Sequence, residues 1–342
     1  SLLILSFSFQ AQAKNPPPGS GTSDIPANIL IMLDTSGSMN SKLYSSVQVY
    51  YPLDVATDSA GNVYVMEYYN NRIKVFDSSG VYLRSFGGYG SNCNQWRYAR
   101  QFDIHNDKIY IADTYGHRLK VLNLTGGCLR QTTLAYSYPH AIAVSNKYIY
   151  VGNNTSRIWI HLKGNKINNM NNHNAGSNLS YSWGMSLHSD GSKLIIGDYT
   201  KNRLAEFWIN NTSYSSGGQA MLSYVQATSS SYSSSNGYFS RPTDAAYDSS
   251  GNIYGLDLYN HRMQKFNSSL AYQAKTGSYS TSSGFRYPYG MHIDSSDNIY
   301  VTDFYNYAVR KYNTSLSETA TYGGGGGTLL DAAKKVIKKI VS

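Results

Sequence analysis

Three oxygen-bearing side chains near the start of the chain have the types and spacing of a metal site. Asp34, Ser36 and Ser38 follow the apolar run from Ile29 to Leu33, which predicts a buried strand. One carboxylate and two hydroxyl groups are hard oxygen ligands, which suit Mg²⁺ or Ca²⁺. The alternative interpretation is a polar turn at the end of a strand, because short motifs also arise by chance.

A segment at the other end of the sequence adds to this pattern. Residues 328–342 place apolar side chains on one helical stripe with lysines opposite, which predicts an amphipathic helix. Residues 27–40 and 328–342 resemble the first strand, metal loop and first helix of a von Willebrand factor A domain, which is an α/β fold. The resemblance implies that Asp34, Ser36 and Ser38 form part of a metal site, and we expect the rest of that domain to be absent from these 342 residues.

The first residues predict the compartment. Residues 1–13 contain a short apolar run followed by Ala-Gln-Ala, which is typical of the end of a secretory signal peptide cleaved before Lys14. The alternative is an ordinary buried segment. Residues 14–26 are rich in Pro, Gly and Ser and predict a linker. Cys93 and Cys128 either form one disulfide in an oxidising compartment or remain free thiols.

An internal repeat fills most of the chain between these segments. An acidic residue is followed five positions later by Arg, at intervals of 39 to 59 residues along the chain. The six marked pairs are Glu67–Arg72, Asp113–Arg118, Gly152–Arg157, Asp198–Arg203, Asp257–Arg262 and Asp303–Ala308, of which the third and sixth depart from the pattern. A β-rich triplet precedes each pair, so each unit predicts four short antiparallel strands. Six such units predict a six-bladed β-propeller.

The first unit also has a recognisable family pattern. Residues 52–76 contain Pro-x-Asp-x-x-x-Asp, Gly-Asn-Val-Tyr-Val and Tyr-Asn-Asn-Arg-Ile-Lys-Val-Phe in succession, and this resembles the NHL repeat family. The resemblance implies a mainly β fold, with a propeller over residues 48–323 inserted into the incomplete von Willebrand factor A domain. We expect weaker turn bonding in units three and six, because one lacks the acidic residue and the other lacks the Arg.

The turns between second and third strands carry the candidate ligand-binding residues, because all such turns of a propeller lie on one face. The predicted binding residues are Tyr68, Tyr69, Tyr115, Asn154, Tyr199, Tyr259 and Tyr305, with Asn153 and Phe304 beside them. Exposed aromatic rings and amides suit stacking on sugar faces or holding an extended peptide. The alternative is that half of these rings pack between blades.

Three carboxylates are predicted to lie near the propeller axis. Asp54, Asp103 and Asp244 stand where innermost strands begin in units one, two and five. Three converging carboxylates would hold a central cation such as Ca²⁺. The alternative is that each accepts separate hydrogen bonds from a neighbouring blade.

Charge and composition favour binding over catalysis. The formal charge of +9 has no dense basic run within the repeats, which favours weak attraction to acidic glycans or cell surfaces over a specific nucleic acid. No nucleophile, metal triad or carboxylate pair stands out, so we predict that the chain is not an enzyme. The alternative is a zinc site built from His105, His140 and His292.

The function predicted from these features is adhesion. The Pro-rich leader and the sequence from Ile25 to Met39 resemble PilY-type proteins at the tips of type IV pili. The resemblance implies a secreted or surface-bound protein, associated with pilus subunits and without a membrane span, that binds protein or glycan ligands. The alternatives are a secreted NHL-propeller lyase or hydrolase, and a propeller that serves only as a spacer.

Overall fold

The computed structural model describes residues 48–135, 138–163, 168–174, 176–210, 222–281 and 283–323. The predicted signal peptide, linker and von Willebrand factor A segments, with Asp34, Ser36 and Ser38, lie outside the described residues. Within them, the chain forms six four-stranded antiparallel sheets, each built from strands that are consecutive in sequence. The prediction of a six-bladed β-propeller is therefore confirmed.

The first three blades hold strands β1 to β12. Their bounds are β1 (Pro52–Thr57), β2 (Val63–Glu67), β3 (Arg72–Phe76), β4 (Tyr82–Gly87), β5 (Phe102–His105), β6 (Lys108–Asp113), β7 (Arg118–Asn123), β8 (Cys128–Thr133), β9 (Ala141–Val144), β10 (Tyr148–Gly152), β11 (Arg157–Leu162) and β12 (Asn168–Asn174). In each blade the first strand is innermost and the fourth is outermost.

The last three blades hold strands β13 to β24 and two short 3₁₀ turns, Gly176–Asn178 and Phe304–Asn306. The strand bounds are β13 (Ser182–Leu187), β14 (Lys193–Asp198), β15 (Arg203–Ile209), β16 (Leu222–Ala227), β17 (Pro242–Tyr247), β18 (Ile253–Asp257), β19 (Arg262–Phe266), β20 (Tyr272–Thr276), β21 (Pro288–Ile293), β22 (Ile299–Asp303), β23 (Ala308–Tyr312) and β24 (Glu318–Gly323).

Burial explains why the repeat triplets are so apolar. Every residue of β2 is buried, whereas β4 alternates between exposed and half-buried residues. The inner strands lie between two neighbouring blades and are covered on both faces, so they read as continuous apolar runs. The outer strand has one solvated face and returns to the two-residue alternation of a surface sheet.

The turn between the first two strands is built around one carboxylate. Asp58 accepts hydrogen bonds from the main-chain N–H groups of Ala60 at 3.0 Å and Asn62 at 2.8 Å, and the Tyr64 hydroxyl donates to it at 3.1 Å. Gly61 has a φ of 79°, which a glycine adopts without strain. The same arrangement recurs around Asp248 and Asp294, so the recurring Asp, Asn and Tyr of these repeats are accounted for by turn bonding.

The ring closes where the first and last blades meet. The Thr302 hydroxyl donates to the Leu53 carbonyl at 3.3 Å, and the Tyr322 hydroxyl donates to the Ser78 carbonyl at 3.2 Å. A Cβ atom on Gly323 would lie 2.5 Å from Cγ2 of Val49, so the described chain enters and leaves the propeller at adjacent points. Among the described strands, none is shared between the first and last blades, so in this part of the chain these side-chain and backbone contacts close the ring.

One disulfide joins the connection between blades one and two to an outer strand. Cys93 and Cys128 are bonded, with their Cα atoms 5.5 Å apart and a separation of 35 positions in sequence. Of the two interpretations left open by the sequence, the structure contains the bridged one. The bond fixes the long loop before β5 against β8.

We expect a Cys93→Ser/Cys128→Ser double variant to lose about 2 to 4 kcal/mol of unfolding free energy, because an open loop of this length regains entropy in the unfolded chain. Urea denaturation with and without a reducing agent would measure the loss. Under reducing conditions the wild-type protein should unfold at the same urea concentration as the variant. Equal midpoints for the oxidised wild type and the variant would contradict the prediction.

Candidate functional site

In the five repeats that have an acidic residue, this residue ends the second strand and binds a basic residue of the third strand. Arg262 Nε lies 2.8 Å from Asp257, and Arg203 Nε lies 3.7 Å from Asp198. In the second blade Lys120 takes this role instead, with its Nζ 3.5 Å from Asp113. The paired groups are structural, as expected for charged pairs at tight turns.

The expectation of weaker turn bonding in the sixth blade is wrong. Ala308 occupies the position of the repeat Arg, but Arg310 Nε donates to Asp303 at 2.8 Å. Arg310 lies two residues further along β23, and side chains two apart stand on the same side of a strand. In the third blade, where Gly152 replaces the acid, its backbone carbonyl accepts a hydrogen bond from the His140 N–H at 2.8 Å.

These carboxylates also anchor the loops that precede the innermost strands. Each accepts a main-chain N–H from a residue that lies 16 or 17 positions earlier in the chain. The bonds run from Tyr50 to Glu67 at 2.9 Å, Arg97 to Asp113 at 2.7 Å, Tyr181 to Asp198 at 3.1 Å, Ser240 to Asp257 at 2.7 Å and Arg286 to Asp303 at 2.7 Å. The anchored loops lie on the same side of the propeller as the turns between second and third strands.

Aromatic rings cover this side of the propeller, which we call the aromatic face. Its members come from all six blades and are Tyr51, Tyr68, Tyr69, Tyr98, Tyr115, Tyr138, Tyr181, Trp183, Tyr199, Tyr259, Tyr287, Tyr289, Phe304, Tyr305 and Tyr307. Neighbouring rings are in contact. The ring centroids of Tyr51 and Tyr69 are 4.8 Å apart, and those of Tyr115 and Tyr138 are 5.5 Å apart. Edge-to-face contacts of this kind hold rings rigidly in place.

The predicted binding residues differ in their exposure on this face. Tyr69, Tyr115, Tyr259 and Tyr305 are 55%, 45%, 47% and 39% exposed. Tyr68 and Tyr199 are half-buried, Asn154 is exposed, and Asn153 and Phe304 are buried. Both interpretations of the sequence therefore describe part of the face: some rings are open to a ligand and others support them.

Sequence reasoning missed the rings that come from the loops before the innermost strands. Tyr51, Tyr138 and Tyr287 each directly precede a Pro and have positive φ angles of 49°, 54° and 60°. The recurring Tyr-Pro dipeptides were the available signal. These rings fill the space between the turns, so the face is continuous across the blades.

A guanidinium group lies among the rings at the centre of the aromatic face. The Arg100 guanidinium carbon is 4.2 Å from the Trp183 ring centroid, and Nη1 donates to the Tyr181 hydroxyl at 3.3 Å. Tyr289 stacks on Trp183 at 5.8 Å. Burial raises the pKa of Tyr181 and Tyr289, so their hydroxyl groups remain protonated at neutral pH.

The axial carboxylates Asp54, Asp103 and Asp244 each bind a neighbouring blade. They accept main-chain N–H groups of Phe102 at 2.8 Å, Val144 at 2.7 Å and Met291 at 2.9 Å, respectively. These contacts match the alternative interpretation of separate hydrogen bonds. Burial raises the pKa of all three carboxyl groups, to about 7 for Asp103 and about 8 for Asp244.

The second blade departs from the predicted alignment at the axis. Gln101 occupies the position that matches Asp54, and its Oε1 accepts the Ile142 N–H at 2.7 Å. Asp103 lies two residues further along the strand. In the described part of the chain, no group of three or more His, Cys, Asp or Glu side chains is arranged to hold a metal ion.

A cavity of about 730 Å³ opens on the opposite side of the propeller. It is lined by the innermost strands and the turns that follow them, including Asp103, His105 and His292. His140 instead lies 5.0 Å from Tyr181 on the aromatic face. The three histidines of the alternative zinc site are therefore not brought together.

A match to a family model identifies the family of this chain. Residues 46–224 match the family DUF5128, described as a 6-bladed beta-propeller. The chain belongs to this family. The match begins after the first of the two segments assigned to a von Willebrand factor A domain and ends before the second.

Solved structures share the architecture of this propeller family. The structure titled "Streptogramin B lyase structure" has a TM-score of 0.53 and 14% identity, over 84% of this chain and 89% of that chain. A structural genomics protein of unknown function from Bacteroides thetaiotaomicron VPI-5482 has a TM-score of 0.60 and 13% identity, over 80% and 72% of the two chains. At these identities the likeness concerns the fold alone. A search of curated proteins found no match.

Across the described ranges, no helix has the length and apolar character needed to cross a bilayer.

Proposed function

We propose that this propeller is a binding protein that holds a glycan ligand on its aromatic face. The continuous set of rings across six blades carries the proposal, because exposed Tyr and Trp rings pack on the apolar faces of sugars. Their hydroxyl groups add hydrogen bonds at low entropic cost, since a Tyr side chain has few rotatable bonds.

The compartment proposed for this function is the cell exterior. The Cys93–Cys128 disulfide supports it, because such bonds persist mainly in oxidising compartments. The predicted signal peptide supports the same location. A secreted or surface-bound glycan-binding propeller would act in adhesion, in keeping with the proposed association with type IV pili.

The proposed binding face is tested by a Tyr69→Ala/Tyr115→Ala/Tyr259→Ala triple variant. We expect it to bind glycan roughly 100-fold more weakly than wild type, if each ring contributes about 1 kcal/mol. A glycan array followed by calorimetry with the best ligand would measure the change.

Tyr224→Ala is the matched control for this variant. Tyr224 is 40% exposed but lies on the outer strand β16, away from the aromatic face, so its removal should leave affinity unchanged. Full affinity in the triple variant would count against the aromatic face as the binding surface.

The proposal extends to the segments that flank the propeller. In it, Asp34, Ser36 and Ser38 contribute to a Mg²⁺ or Ca²⁺ site that engages an acidic group on a surface or pilus subunit. We expect chelation of divalent ions by EDTA to weaken adhesion of the full protein to cells and to leave calorimetric binding of glycan to the aromatic face unchanged. Loss of both activities on chelation would contradict this division of roles.

A second candidate function is suggested by the cavity on the opposite side. Asp103 lines it, and a carboxyl group with a pKa of about 7 is suited to general acid–base catalysis at neutral pH. We would screen chromogenic esters and glycosides for turnover. Activity that is lost in Asp103→Asn and retained in the triple tyrosine variant would favour an enzyme over a binding protein.

A further inference from the structure

We infer that Arg100 is the binding site for a carboxylate group, so that the preferred ligand of the aromatic face is a glycan containing acidic sugar residues. This inference rests on the proposed function and makes it more specific. It depends on the surroundings of one guanidinium group and on the charge of the face around it.

Arg100 differs from the arginines that hold the blades together. Arg262 and Arg310 each bind a buried carboxylate at 2.8 Å. Across the described residues, Arg100 has no carboxylate within ion-pair distance, and its side chain donates one hydrogen bond, to the Tyr181 hydroxyl. Its Nε is buried and without a partner in the same part of the chain. A ligand would therefore be bound by the terminal guanidinium nitrogens of this half-buried side chain.

The surrounding rings fix the orientation of the guanidinium group. Stacking at 4.2 Å on Trp183 covers one side of its plane and leaves the nitrogen donors at the edges. A carboxylate has two oxygens at the spacing of two guanidinium N–H groups, which makes a bidentate pair the favoured contact. The Trp183, Tyr199 and Tyr289 rings beside it would pack against the sugar that carries the carboxylate.

Other cations on the aromatic face have the same character. Arg241 lies 5.0 Å from the Tyr199 ring centroid, and Arg286 lies 5.7 Å from that of Tyr305. Neither has an ion-pair partner among the described residues. The neighbouring acids are already bound, as with Asp303 by Arg310. The face therefore has a net positive potential that favours a polyanion.

His140, which lies beside this site, does not compete with Arg100 for the anion. Burial and, to a smaller extent, the charge of Arg100 lower the pKa of His140 to about 3. The imidazole is therefore neutral at physiological pH, and Arg100 is the central cation of the face in the described residues. Of the polyanions, an acidic glycan suits the oxidising compartment indicated by the disulfide better than a nucleic acid does.

The test uses a trimer of galacturonic acid, its neutral methyl ester and a single-stranded DNA oligonucleotide of equal charge. Binding to the wild type, Arg100→Gln, Arg100→Lys and Lys275→Gln would be measured by calorimetry. Lys275 lies exposed on the outer strand β20 and is the control for loss of one positive charge. Thermal melting and retained binding of the methyl ester would show that the variants are folded.

We expect Arg100→Gln to bind the acidic trimer about 10- to 100-fold more weakly and the methyl ester as before. Arg100→Lys should lose part of the affinity, because an ammonium group cannot form the bidentate pair. Lys275→Gln should bind like the wild type.

Three results would overturn the inference. Unchanged binding of the acidic trimer by Arg100→Gln would remove Arg100 from the site. Equal affinity of the wild type for the trimer and its methyl ester would show that the carboxylate is not recognised, although glycan binding itself would stand. Tighter binding of the DNA oligonucleotide would show that the face prefers phosphate groups to carboxylates. If neither trimer binds the wild type while the glycan array is also blank, the proposed function fails as well.

Discussion

Replacing Asp257 by alanine is expected to lower the free energy of unfolding by about 3 to 5 kcal/mol. The carboxylate is fully buried and joins three parts of the fifth blade. Four donors converge on it, namely Ser240 N at 2.7 Å, Asn260 Nδ2 at 2.9 Å, Arg262 Nε at 2.8 Å and Gln264 Nε2 at 3.3 Å. Alanine would leave the buried Ser240 N–H without an acceptor and the buried Arg262 guanidinium without its carboxylate partner. Arg262 would keep only its hydrogen bonds to main-chain carbonyl groups.

Urea denaturation of the two proteins would measure this effect. Asp77→Ala is the control, because Asp77 accepts the same kind of turn N–H groups in an exposed turn, with Ser79 N at 2.9 Å. Its donors remain accessible to water, so the loss should be much smaller. An Asp257→Ala midpoint equal to that of the wild type would show that the turn acids are not needed for stability.

The same change should also weaken ligand binding. Asp257 holds the loop in which Ser240 is followed by Arg241, and Arg241 lies on the aromatic face. If the aromatic face is the binding surface as proposed, the turn carboxylates serve both stability and binding, because each positions a loop that contributes to that face.

The second large effect is expected in the pH dependence of the unfolding free energy, and the variant that tests it is Asp244→Asn. Burial raises the pKa of Asp244 from 3.8 to about 8 in the folded protein. A carboxyl group with a raised folded pKa stabilises the fold fully below its unfolded pKa, and this stabilisation is lost as the pH rises through the folded pKa. The wild type should therefore lose stability from about pH 4 to pH 8 through this group.

We expect the difference in unfolding free energy, Asp244→Asn minus wild type, to increase by several kcal/mol between pH 4 and pH 8. The increase arises because the wild type loses this stability and the variant does not. Each unit of pKa shift corresponds to about 1.4 kcal/mol. The two carboxylate oxygens of Asp244 accept the N–H groups of Ala245 and Met291. Asparagine stays neutral but has only one acceptor oxygen for these two groups. The variant is therefore expected to be less stable than the wild type at pH 4.

Denaturant titrations from pH 4 to pH 9 would test this difference. Asp103→Asn is a useful comparison, because its window should end near the lower folded pKa of about 7. A constant difference between variant and wild type at all pH values would show that Asp244 titrates normally.

The blade count and strand order were predictable because each blade repeats the same local requirements. An apolar triplet, a turn acid and a basic partner occur in nearly every unit, so a lost residue in one unit does not hide the period. The finer positions of Asp103 and Arg310 were not predictable. A shift of two residues keeps a side chain on the same side of a strand, so Arg310 can replace Ala308 and Gln101 can take the place expected for Asp103.

The extent of the aromatic face was also only partly predictable. The turns that carry Tyr69 and Tyr115 stand at fixed positions in the repeat, whereas the loops that carry Tyr51 and Trp183 come from connections of variable length. Which rings remain exposed depends on contacts between blades that are distant in sequence. For Arg100 the deciding contact is with the fourth blade, two blades away along the chain.

The adjacency of Val49 and Gly323 has a mechanical consequence. A pull on the segments that flank the propeller would reach it at two neighbouring points, both at the joint between the first and last blades. Because none of the strands in the described ranges crosses that joint, the load would fall on side-chain contacts such as that of Tyr322 with Phe76. The other four blades would stay outside the path of the force, and the rings that they contribute would keep their arrangement while the chain is under tension.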